Sequence, residues 1–248
     1  MPWRETADPY HIFVSEVMLQ QTQVARVRQK YGGFLQRFPS WHELAVARLA
    51  DVVQQWQGLG YNRRARFLHQ AAGEVVSRFA GGLPADQQLL ATLPGIGRNT
   101  AGAICAFAFG MPVVFIETNI RRVFIHFFFA GRYKVSDAQL LPLVEQTLDR
   151  SDPRQWYFAL MDYGATLKAR GSNPNRRSAH YSRQPGFEGS RRQLRGAILR
   201  LLVSGEPLAL ADIAAAVGEQ HAGSLESVLS DLENEGFLAA EQAHYYLR

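Results

Sequence analysis

An all-α fold is predicted by three features of the sequence. Apolar residues recur at helical spacing through most of the chain between Pro9 and Lys168. A tight turn built from Pro94, Gly95 and Gly97 joins two such runs. Strand-like alternation is confined to the short tail EQAHYYLR at the C-terminus. With 248 residues, the chain is long enough for two compact units.

Asp8-Pro9 reads as an N-cap followed by proline at the first helical position, and Tyr10, Phe13, Val14, Val17 and Met18 give the apolar stripe of a first helix carrying Glu16. A second helix is expected from Gln23 to Phe38. Ser40 with Glu43 reads as a capping box before a third. Helical patterns continue over Leu49 to Trp56 and Arg63 to Phe79, on either side of the turn GLGYN. Asp86 to Thr92 supplies the helix before the Leu93–Gly97 turn, and a new helix starts at Asn99 or Thr100. The run IHFFF after Arg121 and Arg122 reads as core, and helices follow over Ser136 to Leu148 and Pro153 to Lys168.

Composition sets bounds on function. The net charge of +5 and pI near 9.5 permit an anionic partner without demanding one. Basic residues cluster between 168 and 195, opposed there only by Glu188, and on charge alone this reads equally as a solvated linker. The single cysteine, Cys105, excludes an internal disulfide and a four-cysteine cluster, and reads as a small core residue. No secretory leader is visible at the start, and the longest apolar stretch is broken by Gly110 and Pro112, so a cytoplasmic protein without membrane spans is expected, nucleoid-associated if bacterial or archaeal.

The stretch from Leu93 to Val123, LPGIGRNTAGAICAFAFGMPVVFIETNIRRV, carries the most chemistry. Glycines at 95 and 97 allow positive φ and close approach, and the helix that follows presents N–H groups and a positive dipole end suited to a phosphate. Taken alone, the turn reads equally as an ordinary αα-corner. Taken with LPGIG-R-x-T-A and an acidic residue two before an asparagine in IETNIRRV, it resembles the helix–hairpin–helix DNA glycosylase superfamily. SEVMLQQTQV at Ser15 to Val24 and GLGYNRRARFLH at Gly58 to His69 resemble its MutY-like adenine glycosylase branch. The likeness runs from Pro2 to about Arg170.

The resemblance implies a set of roles. Glu16, alone a solvated helix-face carboxylate, matches the branch's catalytic glutamate, which protonates the purine; Arg4 matches an active-site arginine. Glu117 occupies the place of an aspartate that stabilises the sugar cation, and Asn119 that of an asparagine ordering the turn. Gln21 falls where a residue enters the duplex, with Gln20 beside it as a further DNA-binding candidate, and Tyr61 falls near the base opposite the target, with Asn62 replacing a second tyrosine. Gly95, Gly97, Asn99 and Thr100 would contact the DNA backbone. Bifunctional relatives carry a Schiff-base lysine at position 99, so Asn99 implies a monofunctional enzyme. The iron–sulfur members' C-x6-C-x2-C-x5-C pattern is replaced here by Lys168, Asn175, Ser178 and Gln184, so no cluster, metal or other cofactor is expected.

Beyond Gly189, three helical runs and a possible hairpin resemble a winged helix, giving a predicted organisation of core 1–170, basic linker 171–190 and winged-helix-like domain 191–248. The acidic run SLESVLSDLENEGF points to packing or a protein partner as readily as to DNA. The expected partner of the whole is double-stranded DNA with a mispaired or damaged base. The expected reaction is removal of adenine opposite guanine or 8-oxoguanine. The alternatives are a thymine or uracil mismatch glycosylase and a catalytically weak lesion-binding protein.

Overall fold

The computed structural model describes residues 1–171 and 173–248. After a 3-10 turn at Pro2–Arg4, α1 spans Pro9–Leu19; Asp8 caps it, its carboxylate accepting from Tyr10 N at 2.8 Å and His11 N at 3.2 Å. Then come α2 (Val24–Arg37), α3 (Trp41–Val46), α4 (Leu49–Trp56), α5 (Arg63–Phe79) and the single turn α6 (Gln87–Leu90). The central helices are α7 (Arg98–Phe109) and α8 (Thr118–Phe128), followed by α9 (Asp137–Thr147) and α10 (Pro153–Ala169). The last part comprises α11 (Arg191–Leu202), β1 (Leu208–Ala209), α12 (Leu210–Val217), α13 (Ala222–Asn234), β2 (Leu238–Glu241) and β3 (His244–Leu247). The strands form one antiparallel sheet in the order β1-β3-β2, with Leu238 opposite Leu247 and Leu208 opposite Tyr245.

The helix boundaries fall within a residue or two of those expected, as helix ends do. Three local readings are corrected. Helix α7 begins at Arg98, with Gly97 at its N-cap, rather than at Asn99 or Thr100. Ser40 accepts from His42 N and donates to the Glu43 carboxylate, so the two side chains bond to each other instead of exchanging backbone bonds; the reciprocal box is at Ser136 and Gln139. The IHFFF run is not all core, because Ile125 and Phe129 are buried while Phe127 and Phe128 are more than half exposed.

Two compact units interleave along the sequence. One comprises 1–2, 17–83 and 184–248. Within it, Leu194, Ile198, Leu202, Ile213, Leu229 and Phe237 of the C-terminal part share a core with Val53 of α4, and Ala50 N donates to Arg248 O at 3.0 Å. Two acidic side chains of this part are paired: Asp231 with Arg191 at 2.7 Å and Glu235 with Arg195 at 2.6 Å.

The other unit comprises 3–16 and 84–183. Its core joins Ile12 of α1 to Phe107, Phe115, Ile120, Phe124, Leu140 and Tyr157. Among the described residues no helix is long and apolar enough to cross a membrane.

Candidate active site

Glu117 is placed by the chain that leads into it. Gly110 ends α7 in the left-handed region at φ 64°, and the backbone then runs without helix or strand to Ile116. This segment lies so close to α7 that a Cβ at Gly102 would stand 2.7 Å from Phe115 Cβ. The Tyr157 hydroxyl donates to Val113 O at 2.8 Å and accepts from Phe115 N at 3.4 Å, and Asn99 Oδ1 accepts from Ile116 N at 3.3 Å. Glu117 then becomes the N-cap of α8. Its Oε1 accepts from Asn119 N at 2.7 Å and Ile120 N at 2.8 Å, and its Oε2 accepts from Asn119 Nδ2 at 3.3 Å.

A second layer holds this turn. Arg122, 3% exposed, donates to Asn119 Oδ1 at 2.6 Å and Gly164 O at 2.6 Å. Gly164 allows the contact, since any side chain there would run into the carbonyl of Asn119.

Glu16 sits on α1, half-buried, within electrostatic reach of Glu117 and Arg4. Burial, then repulsion by Glu117, push its carboxyl from an ordinary value of 4.5 up to about 8; Arg4 opposes them. Burial also raises Glu117, but two backbone N–H groups and Arg122 favour its anion. Glu16 is thus an acid near neutral pH, whereas the helix-head N–H groups and Arg122 favour the anion of Glu117 against its burial. Arg4 is fixed by a two-pronged ion pair to Asp162, both bonds 2.8 Å, over the face of Phe158.

The hairpin has the geometry its glycines imply. Gly95 adopts φ 75°, Ile96 N bonds back to Leu93 O at 3.1 Å, and exposed Gly97 and Asn99 flank the start of α7. Thr100 lies in its first turn.

In the first unit, Gln20, Gln21 and Tyr61 line one cavity of about 360 Å³ with Asn62, Arg63 and Arg192. Gln21 and Tyr61 both take positive φ, 56° and 48°, a conformation that costs a non-glycine residue roughly 1–3 kcal/mol. Arg64 holds them there. Only 8% exposed, it donates to Val17 O at 2.9 Å, Met18 O at 2.8 Å, Gln20 O at 2.5 Å, Gly60 O at 2.9 Å and Thr22 Oγ1 at 2.8 Å. The Tyr61 hydroxyl accepts from Gln184 and from Arg192, the latter at 3.2 Å.

Sequence reasoning missed Arg64, Arg122, Asp162 and Arg192. Arg64 and Arg122 lay inside recognised motifs, and nothing in the linear spacing of Asp162 and Arg192 marks them.

The donor set does not fit a thiolate cluster. Lys168, Asn175, Ser178 and Gln184 hold the four relevant positions, and Cys105 is fully buried in α7. Among the described residues no three His, Cys, Asp or Glu side chains group as metal ligands.

Comparison with known proteins agrees with this architecture. Residues 14–145 match the family model of the HhH-GPD superfamily base excision DNA repair protein. Adenine DNA glycosylase of Mycobacterium tuberculosis is 35% identical over 258 aligned residues, covering 93% of this chain and 84% of the relative. The human adenine DNA glycosylase is 40% identical over 179 residues, 67% of this chain but 33% of the relative, and that of Buchnera aphidicola is 34% identical, covering 70% and 50%. The chain thus spans a third to a half of those two relatives. A thermostable thymine-DNA glycosylase structure superposes with a TM-score of 0.62 at 25% identity, over 70% of this chain and 82% of that one. An endonuclease III–DNA covalent intermediate shares the fold at TM-score 0.58 and 21% identity, over 64% and 75%. The chain belongs to the HhH-GPD superfamily of base excision DNA repair proteins.

Proposed function

We propose that the chain is a monofunctional DNA glycosylase that removes adenine mispaired with guanine or 8-oxoguanine. The observation that carries this reading is the pair of carboxyls, Glu16 pushed up to about 8 and Glu117 held at a helix head by two backbone N–H groups. Adenine relatives at 34–40% identity support the choice of base.

In this reading, Glu16 gives its proton to the departing purine as the bond from the sugar C1′ to the base breaks and its electron pair leaves with the base. The cation that develops on the sugar faces Glu117, held in place by Asn119 and Arg122. Water then adds to C1′ and releases a proton. Asn99 carries no amine for a Schiff base, and its amide oxygen is engaged by Ile116 N instead. The 360 Å³ cavity, with Gln21, Tyr61 and the donors of Arg192, is suited to the opposite base, while the hairpin at Gly95 and Gly97 grips backbone phosphate. The pairing of Asp231 and Glu235 with α11 supports a packing role for the C-terminal part, leaving its outer surface for a protein partner.

Duplexes carrying A opposite 8-oxoguanine, A opposite G, T opposite G and U opposite G, followed by alkali, test the proposal. Abasic sites are expected from the first two. Base release confined to T or U duplexes would transfer the assignment to the pyrimidine reading. Binding without release from any would make the chain a lesion binder, and strand cleavage before alkali would refute the monofunctional mechanism.

A further inference from the structure

The cation beside Glu16, Arg4, stands on a segment with little regular structure of its own. Between the 3-10 turn that ends at Arg4 and the start of α1 at Pro9, residues 5–8 are neither helix nor strand. A guanidinium on such a segment keeps one place only if the backbone that carries it is held.

The group that holds it is Arg154 of α10. Its Nη2 donates to Arg4 O at 3.1 Å and also to Thr6 O. Thr6 Oγ1 in turn accepts from the N–H of Asp8, the cap of α1, at 3.0 Å. Local rules do not account for an arginine at this place. Arg154 directly follows Pro153, the first residue of α10, and a cation in the first turn of a helix opposes the macrodipole. What it gains there is the pair of carbonyls, each bonded to a charged donor.

The guanidinium of Arg4 has anchors of unequal strength. Asp162 binds it with two prongs, but the Asp162 side chain is 60% exposed, and solvent and salt weaken an ion pair to so exposed a carboxylate. The guanidinium carbons of Arg4 and Arg154 both lie over the ring of buried Phe158, 4.5 and 5.5 Å from its centroid. Arg154 thus grips the backbone of Arg4 and shares the aromatic ring that supports the Arg4 side chain.

We propose that Arg154 is a positioning residue for Glu16: by holding the carbonyls of Arg4 and Thr6 it keeps the Arg4 guanidinium within electrostatic reach of the Glu16 carboxyl. The charged groups that act on Glu16 are Glu117, from the head of α8, and Arg4. Burial and Glu117 favour the protonated form, and Arg4 opposes them. Releasing Arg4 therefore tightens the proton on Glu16 and makes it a weaker acid. For its catalytic meaning the inference rests on Glu16 being the acid of base release; the effect on the carboxyl needs no activity at all.

The test begins with the carboxyl itself. The carbon-13 resonance of the Glu16 side chain, identified by its loss in Glu16→Gln, is titrated in the intact chain from about pH 6 to pH 10. Arg154→Ala is expected to raise the midpoint by about 0.5–1 pH unit, and Arg4→Met by at least as much. Arg154→Gln, which keeps an amide donor on a shorter arm, should give about half the rise of Arg154→Ala, and is read in its place should that variant not fold. Added to Arg4→Met, the change Arg154→Ala should raise the midpoint no further, because Arg154 acts through Arg4. A folded Arg154 variant with the wild-type midpoint would overturn the proposal whatever its Tm, leaving Arg154 a structural staple. A further rise in the double variant would overturn it as well, since the Arg154 charge would then act on Glu16 directly. Adenine release from a duplex with A opposite 8-oxoguanine, followed in parallel, should show its alkaline limb moved upward in Arg154→Ala by the same amount. No release by the wild-type chain would refute the glycosylase reading alone, and the carboxyl titration would still decide the role of Arg154.

Discussion

Glu16 on α1 lies within electrostatic reach of Glu117 at the head of α8: burial, then repulsion by Glu117, push the Glu16 carboxyl up to about 8, so that it is an acid near neutral pH. An acid of this kind works only while protonated. The kcat/KM for adenine release is therefore expected to be level near pH 7 and to fall about tenfold per unit above pH 8. Glu16→Gln, which cannot donate a proton, should lose about 10²–10⁴ in kcat and the alkaline limb with it. A wild-type profile flat to pH 9.5 would remove Glu16 from the role of acid.

The same shift has a consequence for stability. Unfolded, the Glu16 carboxyl titrates near 4.5; folded, near 8. Between these values the folded state holds the extra proton, so the contribution of this group is complete below pH 4.5 and is lost as pH rises through 8. Glu16→Gln escapes that loss. Its Tm should match the wild type at pH 4.5 and exceed it by roughly 3–6 °C at pH 9, an effect kept modest because Glu16 is only half-buried. Thermal unfolding across pH checks this.

How much of this was legible in the sequence depends on how far apart in the chain the interacting groups lie. Glu117 and Asn119 could be read because both lie in the one short motif IETNIRRV, two positions apart. Glu16 could be placed on its helix, but its perturbation comes from burial and then from a residue about a hundred positions away. Asp162, which clamps Arg4, is 158 residues from it and looks like any exposed carboxylate. Arg64 sits in the run RRAR, where every member reads as a surface cation, and only the packing of two turns around it reveals a buried hub. The strand β1 is two residues long and exists only through its partner β3, so no local alternation could announce it.

Arg64 offers a direct check on that hub. Its guanidinium supplies the buried carbonyls of Val17 and Met18 and those of Gln20 and Gly60, and burial lowers its pKa to about 10. Arg64→Lys keeps a charge but offers three donors from one point instead of a planar fork. A loss of about 3 kcal/mol is expected, read as a lower urea midpoint, with weaker duplex binding as Gln21 and Tyr61 relax. An unchanged midpoint would show that the two strained turns hold themselves.

Gly164→Ala tests the packing of α10 on α8. In most helices the change gains about 1 kcal/mol. Here the new Cβ would lie 2.8 Å from Asn119 Cβ and closer still to its carbonyl oxygen, and backbone cannot swing aside as a side chain can. Net destabilisation of about 1–3 kcal/mol is expected, with kcat falling further than KM rises because Asn119 and Arg122 orient Glu117. Stabilisation on replacement would contradict the close approach of the two helices.

Glu117 itself separates a structural duty from a chemical one. As an N-cap it needs only an oxygen near the N–H groups of Asn119 and Ile120, which aspartate reaches at least as well. Glu117→Asp should therefore leave stability within about 0.5 kcal/mol of the wild type, since the cap survives. The carboxylate retreats by one methylene, and a displacement of about 1 Å can change a rate about 100-fold in either direction. Glu117→Gln keeps the two bonds accepted from backbone N–H groups, gives up the one from Asn119 Nδ2 and removes the charge, so the fold should hold while base release drops by about 10²-fold or more. Glu117→Ala removes cap and charge together and should add about 1 kcal/mol of destabilisation. If Glu117→Gln released adenine at the wild-type rate, Glu117 would be a helix cap and nothing more, and the charge facing the sugar would have to come from another group.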